Sequence, residues 1–167
     1  MRISRHQLRE RVRRIEICLS KLSTTQIWSR QHEIENAIGN LVLHLAGNVR
    51  QWIVCGIGGE EDRRDRDAEF SHRDSLPAAE ILARLRQAVD EADAVLDRLS
   101  GRDLLARHRI QVYEVTALHA VYHVVEHFAE HTGQIVWATK RMTGEDLRFY
   151  SYLKEETAPT PGGSPMP

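Results

Sequence analysis

The sequence predicts an all-α protein built as a four-helix bundle. Three observations carry this. Four long segments repeat apolar residues at the helical spacing, each ends at a Gly or Ser/Thr break, and no segment of strong two-residue alternation competes with them. A connector of residues 55–75 between the second and third helices is long enough to cross the bundle end to end, so an up-down-up-down order is not required.

Taken in order, residues 3–23 place Ile3, Leu8, Val12, Ile15, Leu19 and Leu22 on one stripe among arginines, and Ser23-Thr24-Thr25 ends it. A second helix is expected from Gln31 to Val54, with Ile34, Ala37, Ile38, Leu41, Leu45, Val49 and Trp52 on its apolar face. Cys55-Gly-Ile-Gly-Gly59 stops it. Residues 60–75 alternate in charge and read as a solvated loop. Ser75 and Pro77 open the third helix, which carries Ile81, Leu85, Val89, Ala92 and Leu96 as far as Leu99. Residues 102–114 fit no pattern well. Ile110-Gln-Val-Tyr-Glu114 alternates weakly, too weakly to predict a sheet. The fourth helix is expected over 115–142, stopped by Thr143-Gly144. One domain is expected over 1–153, and the Pro/Gly-rich residues 154–167 read as a disordered tail.

The chain has 167 residues, enough for one domain with a sizeable core. With 23 Lys+Arg against 24 Asp+Glu there is no electrostatic case for nucleic acid or an anionic membrane surface. No apolar run reaches the ~18 residues of a membrane span, and the first ten residues hold no apolar signal core. Cys18 and Cys55 show no framework spacing and read as reduced thiols; a cytoplasmic protein is expected.

The chemistry is concentrated in histidines. His119, His123, His127 and His131 recur every four residues on the fourth helix. Each step drifts by about 40°, so the four cover roughly 120° of one face and cannot share one ion. An adjacent pair can. His127 and His131 are the better pair, because Gly133 follows them and they share a face with Val124, Ile135 and Ala138. His119 reads as a helix-start residue, and His123, one turn away, either as a group supporting the ligands or as a pocket lining. His44, in the apolar run Leu41-Val-Leu-His-Leu-Ala46, is the candidate third ligand. A buried imidazole costs free energy unless a metal or hydrogen bond satisfies it, and Gly47 thins the helix beside it. Glu126 and Glu130 lie partly off this face and read as helix surface. Three neutral imidazoles would leave a divalent ion its full charge and an open position for water, substrate or a thiolate. The pattern His-x-x-Glu-His, present twice, also fits an inverted zinc-peptidase motif, but any helix with histidines at every fourth position and a few glutamates produces it.

The segment His123-Val-Val-Glu-His-Phe-Ala-Glu-His-Thr-Gly-Gln-Ile135, with Asn40-Leu-Val-Leu-His-Leu-Ala-Gly-Asn48, Asn48-Val-Arg-Gln-Trp-Ile53 and Gly56-Ile-Gly-Gly59, resembles the DinB/YfiT-like superfamily. The resemblance covers most of residues 1–153, and the most similar branch is a domain of unknown function. It implies an up-down-down-up order and a nickel or zinc ion held by His44, His127 and His131; His123 matches no ligand position. It also implies a homodimer, and a transferase using a low-molecular-weight thiol such as bacillithiol or mycothiol, or a hydrolase. The alternative is a non-enzymatic, metal-stabilised dimeric bundle that binds a partner.

Overall fold

A computed structural model describes residues 1–73 and 76–153. The expectations for Ser75 and for the tail 154–167 lie outside the described residues. The protein is mostly helical: α1 (Arg2–Ser20), α2 (Thr24–Ile27), α3 (Ile38–Val49), α4 (Arg66–Ser71), α5 (Ala78–Arg98) and α6 (Ala117–Thr143). The long helices α1, α3, α5 and α6 pack on one another, α3 most closely with α5 and α1 with α6. They share a single core that includes Ile15, Leu45, Ile53, Leu85 and Phe128.

The stripes of α5 and α6 are the buried faces of those helices, as is that of α1 from Leu8 to Leu19; Ile3 is exposed and Leu22 is buried just beyond the helix end. Thr116 caps α6 by accepting the His119 N–H at 3.2 Å. Gly144 ends it in the left-handed region, φ 69°, with its N–H on the Lys140 carbonyl at 2.9 Å. Ser23 closes no helix; it forms a reciprocal cap with Gln26 that starts α2.

Three expectations need correction. First, the chain is not purely α. Residues Arg107–Ile110 (β1) and Tyr113–Thr116 (β2) form an antiparallel hairpin in which Ile110 faces Tyr113 and His108 faces Val115. Its alternation is weak in sequence because only Ile110 and Val115 reach the core. Gln111 turns the hairpin at φ 55°.

Second, helix two begins at Ile38. Ile34 is 93% exposed, outside any apolar face. The Trp28 ring lies on Gly39, where an added Cβ would stand 2.7 Å from it, and its Nε1–H donates to the Leu76 carbonyl at 2.9 Å. That tertiary anchor leaves residues 28–37 as a loop over the start of α3. At the other end α3 widens into a π-turn, Arg50–Cys55, with Gly56 N–H on Gln51 O and Gly58 N–H on Ile53 O, each at 2.9 Å. Trp52, Ile53, Val54 and Cys55 are all buried there, more consecutive residues than one face of an α-helix turns inward.

Third, the charged connector is not simply solvated. Asp65 caps α4, accepting the Ala68 N–H at 2.9 Å, and α4 packs on α3. Both cysteines are buried free thiols. Among the described residues no helix is long and apolar enough to cross a membrane.

Candidate metal centre

Helix α3 carries His44 into the core, 4% exposed, opposite the half-buried His127 and His131 on α6. The structure brings one ring nitrogen of each within 4.8 Å of the others, a group that can hold a metal ion. His44 Nε2 stands 2.9 Å from His127 Nε2. The His44 ring meets His131 edge-on at 5.2 Å, and His127 meets His131 at 4.4 Å.

The residues around the three rings settle which nitrogens are free. Glu69, from α4, places Oε2 3.0 Å from His44 Nδ1. The same carboxylate accepts two bonds from Arg64, Nε to Oε1 at 2.7 Å and an Nη to Oε2 at 2.8 Å. Burial alone would raise the Glu69 carboxyl, but the hydrogen bonds of Arg64 and then His44 outweigh it and hold it below the usual range. Glu69 is therefore an anion and only accepts, so His44 Nδ1 carries the proton. The Arg64 Nη that also lies 3.0 Å from Nδ1 is a close approach, since two donors cannot bond. His44 Nε2 is left with its lone pair aimed at His127. On α6, His131 Nδ1 donates to Gln134 Oε1 at 2.8 Å, which leaves its Nε2 lone pair free in the same way.

The electrostatics favour neutral rings, the state that ligates. Burial is the main cause that lowers His127, followed by the charges of His131, His44 and His123, down to about 3. Burial also lowers His44, against the opposing pull of Glu69. These shifts have a measurable sign. Below about 6.5 an unfolded His127 takes a proton that the folded one refuses. Stability of the chelator-treated protein is therefore expected to fall between pH 7 and pH 5, by at most about 1.4 kcal/mol per pH unit from His127. His127→Gln should flatten that slope in urea titrations; an equally steep slope in the variant would contradict the assignment.

The other histidines separate from the group. His119 is exposed at the start of α6. His123 lies tilted against Trp52, ring centres 4.0 Å apart, and 3.5 Å from Asn48 Nδ2; it stacks on His127 at 5.5 Å, outside the group of three. Glu126 and Glu130 are exposed, and Glu130 comes no nearer than 4.0 Å to His127 Nδ1.

Sequence reasoning missed Arg64 and Glu69, whose side chains are only 5% and 11% exposed within a segment that reads as solvated. The available signal was local: Asp65 followed by Arg-Asp-Ala-Glu-Phe-Ser71 is a capped helical turn. The role of Gly47 also changes. The space beside it is taken by the Glu69 and Arg64 side chains; an added Cβ would overlap Glu69 Oε1 and stand 2.9 Å from Arg64 Nε. Gly47→Ala is expected to push the Glu69 carboxylate off His44 and to weaken metal binding about tenfold or more, although alanine is the better helix former. Unchanged zinc affinity in a competition titration would refute this.

A family model for proteins of unknown function, DUF1572, matches residues 1–156. No curated protein matches the chain. With a match that spans nearly all of it, the chain belongs to the DUF1572 family of proteins of unknown function.

Proposed function

We propose that this protein is a DinB-like, divalent-metal-dependent enzyme in which His44, His127 and His131 hold one nickel or zinc ion. The observation that carries the reading is the outward hold on His44 and His131. Glu69 and Gln134 each take an Nδ1 proton, so both Nε2 lone pairs are free to face inward at His127. Two imidazole nitrogens 2.9 Å apart can share one proton as an N–H···N hydrogen bond in the metal-free protein, and rings that resist protonation leave both nitrogens available to one cation in its place. When bound, the ion would supply a Lewis acid that lowers the pKa of a coordinated thiol or water. The chain's own part is to keep three rings neutral, to orient His44 through Glu69, and to shield the centre with α4. A transferase using a low-molecular-weight thiol suits this arrangement, with a hydrolase as the second enzymatic form. An up-down-down-up four-helix bundle is part of this reading, with α1 packed on α6 and α3 on α5. Exposed Leu118 and Tyr122, one turn apart on α6, support a homodimer.

The test is metal content of protein purified without a histidine tag. About one ion per chain is expected for wild type and for His119→Ala, and none for His131→Ala; thiol-transfer assays on the loaded protein follow. Wild type that takes up neither nickel nor zinc would overturn the reading. The non-enzymatic alternative predicts that chelation unfolds the protein, whereas a catalytic site would leave the melting temperature nearly unchanged.

A further inference from the structure

Beside the histidines lies a cavity of about 860 Å³, between the loop that precedes α3 and the second half of α6. Gln134, which accepts the His131 proton, forms part of its wall, as does Leu41, one turn before His44. The cavity therefore shares a side with the candidate metal centre. Its size is that of a small-molecule site.

Its lining is mixed in an informative way. One side is apolar: Ile38, Leu41, Ala138 and Met142, with the exposed indole of Trp137 at the edge. Arg141 lies over that indole, 5.3 Å from the ring centre, and donates to Gln31 at 3.1 Å. The other side holds Arg30, a half-buried guanidinium that donates to Asn40 Oδ1 and, at 3.3 Å, to the His72 carbonyl. Among the described residues no carboxylate pairs with it. Glu35, the acid on the wall, instead accepts the Gln31 N–H at 2.7 Å. Burial, and then the neighbouring Arg73, pull Arg30 below the usual arginine range. A partly buried cation whose partners among the described residues are neutral, on the wall of a cavity, is a binding position for an anion.

We infer that this cavity binds a small carboxylate with an apolar or aromatic body, its carboxylate on Arg30 and its body against Leu41, Ala138 and Trp137. The guanidinium fork fits a carboxylate with two parallel bonds, and the apolar wall accounts for the rest of the molecule. As a substrate pocket the cavity rests on the metal reading, because Gln134 joins it to His131; as a binding site it stands without the metal.

The test uses the full chain after chelation, titrated calorimetrically with 4-phenylbutyrate and with its neutral analogue 4-phenylbutyramide. The acid is expected to saturate one site and to bind about tenfold or more tightly than the amide. Arg30→Gln keeps a donor for Asn40; it should weaken the acid about tenfold and leave the amide unchanged. Gly133 lines the cavity, and a Cβ added there meets nothing within 4 Å, so Gly133→Leu should keep the fold and block both compounds. No saturable binding, equal binding of acid and amide, or an Arg30→Gln protein that binds the acid as wild type does would each overturn the inference. Metal content measured in parallel separates the two proposals. Carboxylate binding by a protein that takes up no metal would remove the metal reading alone. Metal uptake without carboxylate binding would remove the pocket alone.

Discussion

His127→Ala is expected to remain folded and to lose more than about 100-fold in zinc and nickel affinity, beyond the usual range for losing a supporting partner of a ligand. His127 is the central ring: its Nε2 is 2.9 Å from that of His44, and its ring lies 4.4 Å from that of His131. Without it, two imidazoles on different helices remain, and neither has a second nitrogen donor from its own helix at ligating distance. The fold should tolerate the loss. The side chain is 21% exposed, and no hydrogen bond from another element depends on it except the contact with His44. Because the folded protein resists protonating His127, the stability difference between metal-free variant and metal-free wild type should move in the variant's favour as pH falls from 7 to 5. Equilibrium dialysis against zinc, with circular dichroism for the fold, checks both halves. Wild-type affinity in a folded His127→Ala protein would exclude the site.

Glu69→Ala is expected to fail twice. Metal affinity should fall about 10–100-fold, because His44 loses the acceptor that holds its Nδ1 proton and fixes its ring. Stability should fall by about 3–5 kcal/mol, because Arg64, 5% exposed, keeps its charge and loses the carboxylate that takes two of its bonds. The two effects separate in the double variant Arg64→Met/Glu69→Leu. Replacing both buried charges with apolar groups should recover much of the stability in urea titrations, yet metal affinity should stay low. Recovery of both would show that Glu69 acts on the fold alone and does not orient His44.

The residues differ in how far they could be read in advance. The α5 and α6 stripes, the Gly144 stop and the histidine spacing on α6 are local properties. They depend on neighbours three or four residues away, so the chain alone displays them. The start of α3 was not legible, because Trp28 and Gly39, eleven residues apart, decide where the preceding loop sits. The hairpin was not legible because only two of its residues face the core. The connector misled for a stronger reason. A run of mixed charges is normally solvated, and only the return of α4 across α3 turns Arg64 and Glu69 inward while Asp67 stays outside.

The sequence by itself determined the helical class, membership of a family of unknown function and the residue types able to ligate, because helical period and motif spacing are short-range. Tertiary structure decided the rest: that His44 on one helix meets His127, 83 residues later, and that Glu69, 25 residues away, holds its far nitrogen. It also decided that Arg30 lines a cavity whose wall acid, Glu35, pairs with the Gln31 N–H and not with Arg30. Such pairings follow from how the chain folds back on itself, and burial then sets what each group can do. The same histidine is a solvated base on a free helix and a neutral, oriented imidazole once Glu69 and the core enclose it.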